Sequence, residues 1–153
     1  MTKATEVYFV NADRASREEL LQRLQDDAVQ EACLAFYALS DVTFCHSLIN
    51  LHQAKKPVRV VIDRQWIRSC PIAIECAKLL VDAGVPVYHR KCMTHYKLLT
   101  LTYADTIFAS AGSANLTAAA WNRNDEFLVQ PKGPPGLFEL LYENCVPTDP
   151  RST

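Results

Sequence analysis

The sequence carries no surplus of charge. Its 16 Lys and Arg residues stand against 17 Asp and Glu, leaving a net charge of −1 over 153 residues. A protein held on nucleic acid by bulk charge alone is thereby excluded, although a local basic groove is not, because net charge hides distribution. No run of about 18 apolar residues occurs, so no membrane-spanning helix is expected. None of the six cysteines, Cys33, Cys45, Cys70, Cys76, Cys92 and Cys145, forms a C-x-x-C pair, and their spacing argues against a zinc site. The opening MTKATEVYFVNADR lacks a charged segment followed by a long apolar one. Reduced thiols and a cytoplasmic protein are therefore expected. There is no internal repeat, no linker and no low-complexity stretch.

What is present suits one domain, 1–153, with a core over about 6–145. Apolar residues make up 49% of the chain, and a chain of this length buries roughly 70% of its unfolded surface. Glu6–Asn11 reads as a strand. Ser16 and Glu19 form a capping-box pattern opening a helix to about Glu31, with Leu20, Leu21, Leu24 and Val29 on one stripe. Ala32–Leu39 is an apolar run of strand length. Ser40 or Asp41 caps a helix carrying Phe44, Leu48 and Leu51. Pro57–Asp63 is a β-branched strand, and Arg64–Ser69 is a polar loop. Pro71 opens a helix that stops at Gly84, and Val85–Tyr88 is a strand. Tyr96–Thr102 and Thr106–Ala111 pair as a hairpin through Tyr103–Asp105. Asn115–Ala120 is a helical turn, Glu126–Gln130 a strand and Gly136–Asn144 a last helix. Alternating strands and helices in the first half predict parallel strands, and the hairpin predicts antiparallel edges. The fold class is α/β: a mixed, mostly parallel sheet flanked by helices on both faces.

The chemistry concentrates in Met93–Phe127. His95 and Lys97 are two apart at the mouth of a strand, so an imidazole and an ammonium project side by side. The hairpin returns Gly112, Ser113 and Asn115 to the same place. A neutral imidazole attacks phosphorus as a nucleophile, while Lys97 and Asn115 donate to the non-bridging oxygens. Gly112 permits close backbone approach and Ser113 adds a hydroxyl donor. A carboxylate bonded to the other ring nitrogen would orient the imidazole, with Asp105 and Glu126 as candidates. Arg90 and Lys91, after His89, form either a solvated strand end or a phosphate contact leading to the site; Lys55, Lys56, Arg59, Arg64 and Arg68 extend it only if they are not simply a solvated face. Trp66 either stacks a base or packs in the core, whereas Trp121 reads as packing. His46 and His52 read as surface residues of the second helix.

His95-Tyr-Lys97, then GSAN at 112–115, then Asn124 and Glu126, resemble the H-x-K, G-S-x-N and N-x-E signatures of the phospholipase D superfamily. The likeness is to its small single-motif members, the compact bacterial endonucleases and the mitochondrial cardiolipin hydrolase relatives. It extends over about Glu6–Cys145 and includes the FYALSD, VRVVID and LLVDAGVPV segments. The resemblance implies a phospholipase D-like fold and a metal-independent phosphodiesterase without cofactor. It also implies a homodimer whose two motifs build one site. One His95 would become a phosphohistidine, and the other would protonate the leaving oxygen and then activate water. Lys97 and Asn115 of both chains would hold the phosphate. One departure is visible: the family pattern has Asp where Thr102 stands here. Asp105 keeps the family's spacing to Gly112, as if the hairpin were enlarged by three residues. DNA or RNA is the expected substrate. The alternatives are a phospholipase or cardiolipin hydrolase, and an inactive nucleic-acid-binding module suggested by Thr102.

Overall fold

Glu31–Phe36, EACLAF, is apolar at nearly every position, and the computed structural model places it at the centre of a mixed sheet covered by helices. Residues 5–9, 16–117, 120–121, 127–131, 142–143 and 145–148 are described. Their elements are β1 (Thr5–Phe9), α1 (Ser16–Leu24), β2 (Glu31–Phe36), α2 (Val42–Gln53), β3 (Val58–Ile62), α3 (Arg64–Ser69), α4 (Pro71–Asp82), β4 (Val87–Arg90), β5 (Lys97–Thr102), β6 (Ile107–Gly112), β7 (Phe127–Pro131) and β8 (Cys145–Pro147). The strands lie in the order β1-β7-β6-β5-β2-β3-β4-β8. β2, β3 and β4 are parallel neighbours, as alternating strands and helices imply.

The remaining pairings are antiparallel, which tips the balance of the sheet away from parallel. β1 does not join the parallel set but pairs with β7 at the far edge. The β5–β6 hairpin does not form an edge either: β5 pairs with β2 in the middle of the sheet.

Side chains alternate across the strands. Ala32, Leu34 and Phe36 of β2, Val60 and Ile62 of β3, and Leu99 and Leu101 of β5 meet Leu20, Leu24, Phe44, Leu48, Ile67, Cys76 and Leu80 from α1, α2, α3 and α4 in one core. Cys33, Ala35, Val61 and Leu98 point the other way, into a smaller cluster with Tyr88 and Tyr142. The expected helix over Gly136–Asn144 lies outside the described residues except for Tyr142 and Glu143.

Three local readings change. α1 stops at Leu24, short of Glu31. The Asp26 carboxylate accepts from the Ala28 amide in a turn, and the Gln30 amide donates to the Thr102 carbonyl as the sheet begins. Ser16 is the first helical residue, and its buried hydroxyl has no partner among the described residues, so no capping box forms there. Arg64–Ser69 is the helix α3 rather than a loop, because the Asp63 carboxylate accepts from the Trp66 amide 3.0 Å away and caps it.

Other expectations hold. Asp41 caps α2 by accepting from the Thr43 amide, and Pro71 opens α4. Gly84 follows α4 at φ +92, its amide donating to the Val81 carbonyl.

Candidate active site

The sheet's directions decide which residues share a rim. β2, β3 and β4 run parallel and end at Phe36, Ile62 and Arg90. β5 runs against β2 and so begins at that same rim with Lys97, and β6 returns there with Gly112. Tyr37, Asp63, Arg90, Lys91, Lys97 and Gly112 therefore gather at the carboxyl ends of the parallel strands, where open α/β sheets bind ligands.

His95 precedes β5 and is exposed. The Lys97 ammonium lies 3.0 Å from its Nδ1 and 3.3 Å from its Nε2, and donates to the His95 carbonyl at 2.9 Å. The Tyr37 ring also packs against it, with centroids 5.1 Å from His95 and 5.7 Å from Trp66. Lys97 Nζ stands 5.6 Å from the Tyr37 ring centre. The Tyr37 amide donates to the Tyr96 carbonyl, which ties the end of β2 to the residue between His95 and Lys97.

The GSAN segment folds onto the chain that leaves β2. Leu116 and Leu39 form a parallel bridge, and the Ser40 and Asp41 amides both donate to the Leu116 carbonyl. The Asn115 side-chain oxygen accepts from the Ala38 amide at 3.1 Å. That bond consumes the amide's acceptor and leaves its NH2 group as the donor end. Ala111 pairs with Leu98, so Gly112 and Ser113 arrive beside Lys97. Gly112, Ser113 and Asn115 thus reach the rim that carries His95 and Lys97.

Asp105 is not part of it. It sits exposed in the hairpin turn, at the opposite end of β5 from Lys97. Six strand residues separate the two ends by roughly 17 Å. Among the described residues no carboxylate is hydrogen-bonded to His95; Glu126 and Asn124 lie outside them. Trp66 is half-buried, packing on the core while its ring faces Tyr37. Trp121 is buried and stacks on Phe44 at 5.9 Å.

Two acids support the rim: Asp63, which sequence reasoning missed, and Asp41, which it read only as a helix cap. Asp63 is 2% exposed, and its second oxygen accepts from the Thr94 amide at 2.9 Å, next to His95. Asp41 accepts from the Arg17 Nε at 2.8 Å and the Trp121 Nε1 at 3.1 Å besides capping α2. An Asp three residues before Trp66 is a capping signal that a reading of 64–69 as a loop passes over.

Beside this rim lies a cleft of about 490 Å³, lined by Asp63, Arg64, Gln65, Arg68, His89, Arg90, Lys91, Cys92, Met93 and Val146. Burial, then the nearby Arg64 and Arg68 charges, hold the His89 imidazole below its ordinary range.

A family model described as "Cardiolipin synthase, PLD-like domain" matches residues 20–142. Among solved structures, the phospholipase D family member Nuc from Salmonella typhimurium is similar over 94% of this chain and 98% of its own, with a TM-score of 0.75 and 19% identity. NucT from Helicobacter pylori is similar over the same shares, with a TM-score of 0.74 and 14% identity. Polyphosphate kinase from Porphyromonas gingivalis reaches a TM-score of 0.72 at 12% identity, over 92% of this chain but 26% of its own. No curated protein matches at the sequence level. At these identities the structural likeness is one of fold. The family match spans most of the chain and contains His95, Lys97 and Asn115; the chain belongs to the phospholipase D superfamily.

Proposed function

We propose that the chain is a metal-independent phosphodiesterase acting on nucleic acid, with His95 as nucleophile in a site shared by two copies. The observation that carries the reading is the contact of Lys97 Nζ with the His95 ring at the exposed rim, beside Gly112–Asn115. A ring nitrogen of one His95 bonds to phosphorus as the bond to the leaving oxygen breaks. The second copy's His95, protonated, gives that oxygen its proton. It then takes a proton from water, whose oxygen displaces the imidazole from phosphorus. Lys97 and the Asn115 NH2 group donate to the non-bridging oxygens as charge builds on them.

Exposed apolar side chains beside His95 support a site shared with a second copy. Met93 and Tyr96, exposed at 61% and 48%, bracket His95 with apolar surface. The cationic residues next to the site favour nucleic acid as substrate. No helix among the described residues is long and apolar enough to cross a membrane. The family model's description, which names cardiolipin synthase, supports a second reading in which the phosphodiester belongs to a phospholipid.

The test is turnover in EDTA on single-stranded DNA, RNA and cardiolipin vesicles, with His95→Ala alongside. Cleavage of a nucleic acid that is lost in the variant supports the proposal. Cleavage of cardiolipin alone selects the lipid reading. Tight nucleic-acid binding with no turnover marks an inactive binding module. Mixed subunits test the shared site: activity falls with the square of the wild-type fraction if both His95 residues serve one phosphate, and linearly if they do not.

A further inference from the structure

The cleft beside the catalytic rim holds a concentration of charge that the chain as a whole does not have. Arg64, Arg68, Arg90 and Lys91 line it, and the carboxylate among them is that of Asp63. Asp63 offsets one of these four positive charges. It is buried, and its two oxygens accept from the Trp66 and Thr94 amides. Arg64 and Arg68 are exposed and four apart on α3, so they present their guanidinium groups on one side of that helix. Against a net charge of −1 for the whole protein, this makes the cleft a local anion trap. Burial first, and then the Arg64 and Arg68 charges, lower the His89 pKa.

The cleft is also placed to serve the reaction. Its wall ends at Cys92 and Met93, and His95 lies two residues beyond. Two residues of chain span at most about 7 Å, which is two nucleotides of a stacked strand at about 3.4 Å of helix axis each, and fewer when it is stretched. We infer that the cleft is a second phosphate-binding subsite. It takes a phosphodiester group of the same single nucleic-acid strand one or two nucleotides from the group at His95. Arg64 and Arg68 grip this phosphate in forked, charge-assisted hydrogen bonds. Trp66, on the same helix, meets the Tyr37 ring at a tilt, and Tyr37 in turn meets the His95 ring, which links the helix that carries the two arginines to the nucleophile. The inference rests on the nucleic-acid reading above and names which part of the molecule reads the strand's length.

The experiment separates the two. Full-length His95→Ala protein is titrated with a fluorescein-labelled 12-nucleotide single-stranded DNA at several salt concentrations, with and without Arg64→Ala plus Arg68→Ala. The double variant is expected to raise Kd about tenfold or more, and to flatten the dependence of log Kd on log salt by about 0.7, one phosphate contact's worth. Arg64→Lys plus Arg68→Lys keeps the charge and recovers most of the salt slope but less of the affinity. In active protein, the Ala variant loses at least about ten times more turnover on the 12-nucleotide strand than on bis(p-nitrophenyl) phosphate, which has one phosphate. An unchanged Kd and salt slope overturns the subsite. So does a loss confined to phosphatidylglycerol vesicles, which would assign the cleft to a lipid surface. Cleft-dependent binding by a protein that never cleaves leaves the subsite standing and removes the phosphodiesterase reading instead.

Discussion

The carboxylate of Asp63 and the backbone amide of Thr94 meet at 2.9 Å, so a buried acid at the end of β3 holds the segment that leads into His95. The other oxygen of Asp63 caps α3 through the Trp66 amide. One side chain thus fixes both the helix that carries Trp66 and the approach to His95. A carboxylate has two acceptors to give, whereas an amide has one.

Asp63→Asn therefore keeps one of these bonds and breaks the other. With the cap retained, the Thr94 amide is left buried and unpaired, at a cost of about 1–3 kcal/mol. Denaturant unfolding should show that loss, and kcat should fall with little change in KM, because His95 is misplaced while the binding surface stays. Asp63→Ala loses the cap as well and should unfold about 1 kcal/mol more easily again. An Asp63→Asn protein with wild-type kcat would show that Asp63 supports the fold and does not position His95.

The turn carboxylate makes the opposite case. Asp105 is exposed at the far end of β5 from Lys97. Asp105→Ala should leave turnover within about twofold of wild type, since a surface change away from any special feature costs about 0.5 kcal/mol or less. Lys97→Ala in the same assay should lose a hundredfold or more, about 3 kcal/mol of transition-state stabilisation. A large loss from Asp105→Ala would require the hairpin turn to reach a site from which β5 separates it.

These two acids show what the sequence could and could not reveal. The gathering of His95, Lys97 and Gly112–Asn115 was legible because a hairpin brings them together through a short loop, and period-two alternation puts His95 and Lys97 on one side. Asp105 was misjudged as a partner for the imidazole because spacing along a motif says nothing about which end of the hairpin a residue occupies. Asp63 was missed because its second partner, Thr94, is 31 residues away, and because α3, at six residues, is too short for its apolar spacing to show. The edge position of β1 depends on its pairing with β7, more than a hundred residues further on; local pattern carries no such information. The central place of the hairpin is similar: Cys33 faces Thr100 through a contact no short-range rule supplies.

Asp41 gives a prediction about stability alone. It caps α2 at the Thr43 amide, pairs with Arg17 at 2.8 Å and accepts from the Trp121 indole. Its hydrogen bond and charge raise the Arg17 pKa. Asp41→Ala forfeits the cap, about 1 kcal/mol, takes from the Arg17 guanidinium its 2.8 Å partner and leaves it Glu18 at 3.8 Å, and strands a buried indole N–H, each loss worth about 1 kcal/mol. A total loss of about 3 kcal/mol in urea unfolding is expected. Asp41→Asn should recover part of it, since its side-chain oxygen still caps the helix. A loss under about 1 kcal/mol for Asp41→Ala would mean that Arg17 and Trp121 find solvent or other partners at no cost.

The last prediction concerns pH. His89 faces Arg64 and Arg68 across the cleft, with Asp63 nearby, and its ring nitrogen pairs with the Thr148 hydroxyl. Burial first, and then the two arginines, depress its pKa below the ordinary 6.5, while Asp63 opposes them. The fold therefore favours the neutral ring. Its contribution to stability is present above the unfolded-state pKa of 6.5 and is lost as the pH falls through the lower folded value. NMR titration of the ring should give a midpoint below 6.5, and Arg64→Ala plus Arg68→Ala should move it upward by removing two repelling charges. A phosphate seated in the cleft should move it upward too, because an anion favours the charged imidazole. Saturating the His95→Ala protein with the 12-nucleotide strand and repeating the titration reads this directly. A midpoint that rises with the strand in the parent, and rises less in the double arginine variant, places the anion against His89. A midpoint indifferent to the strand in both would put the nucleic acid elsewhere on the rim.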